Sequence, residues 1–182
     1  MASELAAYLR TRIATPRIGL LWLVVIAACL ASGTSIDGPR SGFTVALLAL
    51  LIAQFRLWDD LQDLAHDRAH HPERVLVRTA RLAPFRFLLA LSFAAGLGAL
   101  TMGEGATRGV VYLLLVAAFV ALYLFIRSRK VSRLLRNQLV LIKYPAFVSM
   151  FAPDPLHPRA LAAAILLYLL LSAYDARDGN SR

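Results

Sequence analysis

Cysteine and acidic residues are scarce in this chain of 182 residues. Its single cysteine, Cys29, lies inside an apolar run and has no partner for an internal disulfide, which excludes a disulfide-stabilised domain. Acidic residues number 11 against 20 lysines and arginines, giving a net charge of +9. The chain also lacks the polar residues that a soluble domain needs, because 59% of it is hydrophobic and its mean hydropathy is +0.62. We expect a single membrane domain over residues 1–182.

The apolar residues form runs that are separated by turns and charged segments. Since a spanning helix needs about 20 mostly apolar residues, the runs predict an all-α, polytopic bundle of about six transmembrane helices. The runs cover residues 18–33, 43–57, 85–100, 109–126, 139–152 and 160–174. The fifth run is short and contains Lys143, Tyr144 and Pro145, and we expect Pro145 to kink it. Whether this run spans decides on which side of the membrane the C-terminal tail lies.

Basic residues alternate along the loops between the apolar runs. The N-terminal arm, the loop after the second run and the segment 127–136 are rich in cations, whereas Arg40, Arg108 and Arg159 stand alone in the other loops. The alternation predicts a multi-pass protein of the bacterial inner membrane with both termini in the cytoplasm. Because the cations stand at the ends of apolar runs, they indicate topology and anionic headgroups, and we expect no nucleic-acid partner.

Four aspartates interrupt the apolar pattern directly after the second run. Asp60, Asp63 and Asp67 are spaced i, i+3 and i+7, so on a helix their carboxylates fall within one stripe. Clustered carboxylates repel one another and prefer water to an apolar setting, so we expect a cation among them. Mg²⁺ is the natural candidate, because it binds hard oxygen ligands and shares its shell with substrate phosphates. The alternative is a solvated polar loop between two membrane helices.

The segment Asp59-Asp60-Leu-Gln-Asp63-Leu-Ala-His-Asp67 resembles the first aspartate motif of the UbiA superfamily of intramembrane prenyltransferases. That motif reads N-D-x-x-D-x-x-x-D and follows the second membrane helix, as here, although Asp59 stands where the family usually has Asn. The family's second motif, an aspartate pair, follows its sixth helix, and Asp175 and Asp178 follow the sixth apolar run of this chain.

The resemblance implies that Mg²⁺ holds an isoprenyl diphosphate whose prenyl group is transferred to an aromatic or other acceptor. It implies catalytic, metal-facing roles for Asp60, Asp63 and Asp67, with Asp175 and Asp178 as a second metal-binding pair. The candidates for contact with the diphosphate are Tyr123, Arg127, Lys130 and Lys143. Family members have nine helices, and the resemblance covers about their first two thirds. A partner chain or a homo-oligomer is therefore an expected way to complete the bundle.

Two other functions remain open from the residues. One is a non-catalytic membrane scaffold that keeps the family's architecture without turnover. The other is a membrane metal-binding or transport protein, because His66 and His70 are spaced i and i+4 and share much of a helix face with Asp63 and Asp67. The lipid bilayer is an expected partner in every case.

Overall fold

The computed structural model describes residues 2–35, 40–128 and 133–180, and within these ranges all regular structure is helical. The predicted all-α class is confirmed. A π-helical segment, Leu9–Ile13, joins the first two α-helices. The α-helices are α1 Ala2–Tyr8, α2 Pro16–Ala31, α3 Arg40–Gln62, α4 Leu64–His70, α5 Val75–Arg78, α6 Ala83–Glu104, α7 Ala106–Ser128, α8 Arg133–Leu141, α9 Lys143–Phe151 and α10 Pro158–Asn180.

Four of these helices are long and apolar enough to cross a membrane, which indicates an integral membrane protein. They are Ser41–Gln62, Ala83–Glu104, Ala106–Ile126 and Pro158–Arg177. The N-terminal helices bend by 59° between Ile13 and Pro16 and add a fifth span if they are counted as one. Thr15 accepts a hydrogen bond from the amide of Ile18 and Pro16 opens α2, so a new helix begins at the bend. The predicted count of six spans is not confirmed.

The fifth apolar run, residues 139–152, is divided between two helices of nine residues each: its first residues end α8, and most of the rest forms α9. They separate at Ile142, three residues before the proline at which a kink was expected. Pro145 has no N–H to donate to the carbonyl of Leu141, and its ring would collide with that carbonyl in a continuous helix. The chain therefore ends α8 at Leu141 and restarts, with the proline in the first turn of α9.

Contacts between helix ends show that α9 runs from one end of the bundle towards the other, and that α8 lies beside the end of α10. Lys143, the first residue of α9, contacts Asp59 near the end of α3. The last carbonyl of α9, that of Phe151, accepts a hydrogen bond from Thr34 at 3.1 Å, just beyond the end of α2. Asn137 of α8 lies 3.2 Å from Asp175 near the end of α10. The end that contains Asp59 is called the aspartate end below.

An aromatic cluster around Phe55 of α3 forms the centre of the bundle. The Phe55 ring lies 5.4–6.1 Å from four other rings, on α3, α6, α7 and α9. These rings are Trp58, Phe93, Phe119 and Phe147. Ring pairs at such separations add attraction beyond the apolar area they bury. Phe55 therefore fixes the position of α3, and with it the aspartates that follow at the end of the same helix.

A small residue brings α6 and α7 together around a buried hydrogen bond. The Tyr112 hydroxyl donates to Gln54 Oε1 at 2.9 Å, and both side chains are buried. A Cβ added at Gly96 would lie 3.0 Å from the Tyr112 hydroxyl and 3.4 Å from Gln54 Oε1. Gly96 therefore leaves the space that this pair occupies, whereas a Cβ at Gly98 would meet nothing within 4 Å.

We expect Gly96→Ala to lower the melting temperature of the detergent-solubilised protein and Gly98→Ala to leave it unchanged or raise it. At Gly96 the added methyl presses on two buried, mutually bonded groups, and overpacking of this kind costs about 1–3 kcal/mol. At Gly98 the substitution only improves helix propensity. Thermal unfolding followed by circular dichroism measures both effects, and equal melting temperatures for the two variants would contradict this packing.

Candidate functional site

The four aspartates at residues 59–67 differ in burial and in their partners more than in direction. Successive residues are rotated by about 100° on a helix, so Asp60, Asp63 and Asp67 lie within about 60° of one another, and Asp59 lies about 100° from Asp60. Helix α3 ends at Gln62 and α4 begins at Leu64, but the backbone bonds from Asp63 to Asp59 and from Asp67 to Asp63 preserve this spacing. Within the stripe, Asp60 and Asp67 are buried, whereas Asp63 is exposed.

Asp60 is held by the N-terminal arm. Arg12 of the π-helical segment donates to both of its carboxylate oxygens, at 2.6 and 3.0 Å, and the Tyr8 hydroxyl donates at 3.0 Å. Arg56, one helical turn before Asp60, lies 3.4 Å from the same carboxylate. Only 5% of Asp60 is exposed, so its charge is neutralised by the protein itself. The bidentate geometry with Arg12 is the strongest arrangement available to such a pair.

Asp67 is also bound by an arginine, Arg74, which forms an ion pair and a hydrogen bond with one of its carboxylate oxygens. Only 3% of Asp67 is exposed. Between the two paired aspartates lies a cavity of about 10 Å³, which Tyr8, Arg12 and Arg74 also line. A cavity of this size has room for about one water molecule. Pockets that bind small organic ligands are usually about 300–1,000 Å³.

Asp59 lies on the other side of α3, in contact with two of the predicted diphosphate-binding residues. The Tyr123 hydroxyl donates to one carboxylate oxygen, and the Lys143 ammonium forms an ion pair with the other. Lys143 is 1% exposed, and its ammonium lies 5.4 Å from the Tyr144 ring centroid. The structure thus brings Tyr123 and Lys143 together at the aspartate segment, where both bind Asp59.

Asp63 is the exposed member of the motif. Among the residues that the structure describes, none forms a hydrogen bond or ion pair with its carboxylate. Partial loss of hydration raises the pKa of Asp63 above its usual value; the positive charge of Arg136 on α8 opposes this, and the neighbouring carboxylates of Asp59 and Asp67 add to it. Asp63 is therefore the carboxylate of the motif that is open to a ligand.

Of the two C-terminal aspartates, the structure describes the side chain of Asp175. Asp175 accepts a hydrogen bond from Asn137 of α8 at 3.2 Å. Its predicted role as a metal ligand beside the aspartate motif stays a prediction. The side chains of Asp178 and Arg127, and the whole of Lys130, lie outside the described residues.

The described residues contain no preformed group of three metal ligands. No group of three or more His, Cys, Asp or Glu side chains in this part of the chain is arranged to hold a metal ion. Asp60 and Asp67, predicted to bind Mg²⁺, already bind arginines. His66 and His70 stack with ring centroids 4.1 Å apart, and Nδ1 of His70 lies 3.0 Å from the His66 carbonyl oxygen. A site that combines these histidines with Asp67 would require the Arg74 pair to break.

Sequence reasoning missed the cations that neutralise the motif. Arg56 precedes Asp60 by four residues and Arg74 follows Asp67 by seven, so both were within reach of a helical-spacing argument. Tyr8 and Arg12 lie about 50 residues away from Asp60, and no local pattern connects them to it. Their pairing depends on the bend between the π-helical segment and α2, which is a feature of the fold.

Comparisons with known proteins give no relative for this chain. No protein-family model, curated protein or solved structure matches it.

We expect Arg12→Gln to destabilise the protein and Arg10→Gln to leave its stability within about 0.5 kcal/mol. Removing the only partner of a buried charge costs about 3–5 kcal/mol; because Arg56 remains 3.4 Å from Asp60, we expect a loss towards the lower end of that range. Arg10 lies on the same π-helical segment but is exposed, and exposed substitutions have small effects. Thermal unfolding in detergent measures the difference. Equal stability of the two variants would show that Arg12 does not support Asp60.

The buried pair of Asp59 and Lys143 predicts a rescue by double substitution. Lys143→Met alone leaves Asp59 without its cation, and we expect a loss of about 3 kcal/mol or more. Adding Asp59→Asn removes the orphaned charge and keeps an acceptor for the Tyr123 hydroxyl, so most of the lost stability should return. A double-mutant cycle of unfolding free energies measures the coupling. Simple additivity of the two substitutions would contradict a direct pair.

Proposed function

We propose that this chain is a UbiA-like membrane scaffold in which the aspartate motif ties helices together, and that the chain does not transfer prenyl groups by itself. The pairing of both candidate metal ligands, Asp60 and Asp67, with the chain's own arginines carries this proposal. The scaffold is an integral membrane bundle, and the motif joins its N-terminal arm, α3 and the segment that contains Arg74.

Energetics favour the arginines over a metal ion at Asp60. A metal ion would have to displace Arg12 and the Tyr8 hydroxyl, leaving the guanidinium without its partner inside the protein. Breaking a buried pair in this way costs about 3–5 kcal/mol before the ion gains anything. The cavity of about 10 Å³ beside the motif also leaves no room for a diphosphate.

Mg²⁺-dependent prenyl transfer is the second candidate function, and one observation favours it. Asp63 is exposed, and the positive charge of Arg136 acts on its carboxylate, so a cation is near the one open carboxylate of the motif. Catalysis there would require Asp60 and Asp67 to leave their arginines, and a cavity to form with the help of a partner chain or a second copy. The substrate in that case is an isoprenyl diphosphate.

A diphosphate-release assay distinguishes the two functions. Purified protein in detergent is incubated with Mg²⁺ and a labelled isoprenyl diphosphate, and free diphosphate and protein-bound label are measured. For a scaffold we expect release by the wild-type chain to equal release by Asp63→Ala, because the remaining carboxylates are occupied.

Release that is present in the wild type and lost in Asp63→Ala would overturn the scaffold proposal and establish the enzyme. Asp154→Ala is the matched control, because this aspartate is exposed in the loop before α10, near the opposite end. Zinc binding that Asp63→Ala abolishes, without any effect of diphosphate, would instead support a metal-binding protein.

A further inference from the structure

We propose that the rim of the aspartate end binds the headgroups of anionic phospholipids through four arginines. The arginine rim consists of Arg10 of the π-helical segment, Arg78 at the end of α5, Arg81 in the following link and Arg86 in the first turn of α6. The proposal is independent of the function proposed for the aspartate motif, since none of the four belongs to that motif.

The rim arginines differ from the motif's arginines in what they contact. Arg12 and Arg74 are directed inward and bind carboxylates. The four rim side chains are exposed, and within the described part of the chain their guanidinium groups form no hydrogen bond or ion pair. Four such cations on one side of the protein leave a positive charge that an external anion can neutralise.

Two long-range contacts hold the N-terminal arm, which carries Arg10, against the segment that carries Arg78, Arg81 and Arg86. The rings of Tyr8 and Phe85 meet edge to face with centroids 5.6 Å apart, and the Thr79 hydroxyl donates to Glu4 at 3.1 Å. Arg10 follows Tyr8 by two residues and Arg86 follows Phe85 by one. Tyr8 and Phe85 belong to one apolar cluster that also includes Leu57 and Leu76, and this cluster holds the two segments in place.

The depth of the rim matches the headgroup layer. The candidate span in α6 begins at Ala83, so Arg81 lies just before the apolar helix and Arg86 within its first turn. Phe87, next to Arg86, is 70% exposed, as expected of a side chain that faces lipid. Guanidinium groups bind phosphate oxygens in a bidentate manner. Headgroups beside exposed apolar side chains fit this arrangement better than nucleic acid does, because nucleic acid would have to lie against the bilayer.

Lipid selectivity in detergent tests the proposal. Native mass spectrometry of the full chain with equal amounts of phosphatidylglycerol and phosphatidylcholine measures the ratio of bound lipids. We expect the wild type to prefer phosphatidylglycerol. A single substitution, such as Arg86→Gln, should lower that preference by up to about fivefold, and Arg78→Gln/Arg81→Gln/Arg86→Gln should bring it close to one.

Arg159→Gln is the matched control, because Arg159 is also exposed but stands alone at the start of α10, at the opposite end. The control should keep the full preference. A wild type without preference, a triple variant that retains it, or an equal loss in Arg159→Gln would overturn the proposal. Displacement of phosphatidylglycerol by inorganic pyrophosphate would also overturn it, since the rim would then be a site for soluble phosphates.

Discussion

Neutralising buried carboxylates is the constraint on which the aspartate end of this protein depends. An ionised aspartate that is removed from water requires a cation and hydrogen-bond donors, and Asp60 obtains both from the N-terminal arm. The arm in turn bends by 59° from the helix that follows it. A charge at the end of α3 thus determines where the first residues of the chain lie.

The same constraint explains how α9 is placed. Lys143 lies in an apolar run, where an unpaired cation is costly in lipid. It is directed into the bundle towards Asp59, beside the rings around Phe55, and it begins the helix that follows the break at Ile142. The break and the ion pair are compatible with each other. Pro145 requires α8 to end, and the buried Lys143 ammonium requires α9 to begin beside Asp59 of α3.

Local chemistry made part of this structure predictable. Apolar runs located the four long helices. Asp175 was expected to meet the aspartate motif, and its contact in the structure is with Asn137 of α8. Helical spacing placed Asp60, Asp63 and Asp67 in one stripe, but it could not show that Arg12 binds Asp60, because residues about 50 positions apart meet only through tertiary packing. Pro145 predicted a kink in the fifth run. The break lies at Ile142 because the proline ring would collide with the carbonyl of Leu141, four residues earlier.

Asp59 shows why the spacing of aspartates does not decide what they bind. Its carboxylate lies near the end of α3, and the chain buries the Lys143 ammonium against it. An asparagine at residue 59 would leave the Lys143 ammonium uncompensated, and a neutral residue at 143 would do the same to Asp59. Asp59 and Lys143 therefore depend on each other as a buried pair. Aspartates at the same spacing can serve to bind a metal ion or to bind the protein's own cations, and the partners, rather than the spacing, decide between these roles.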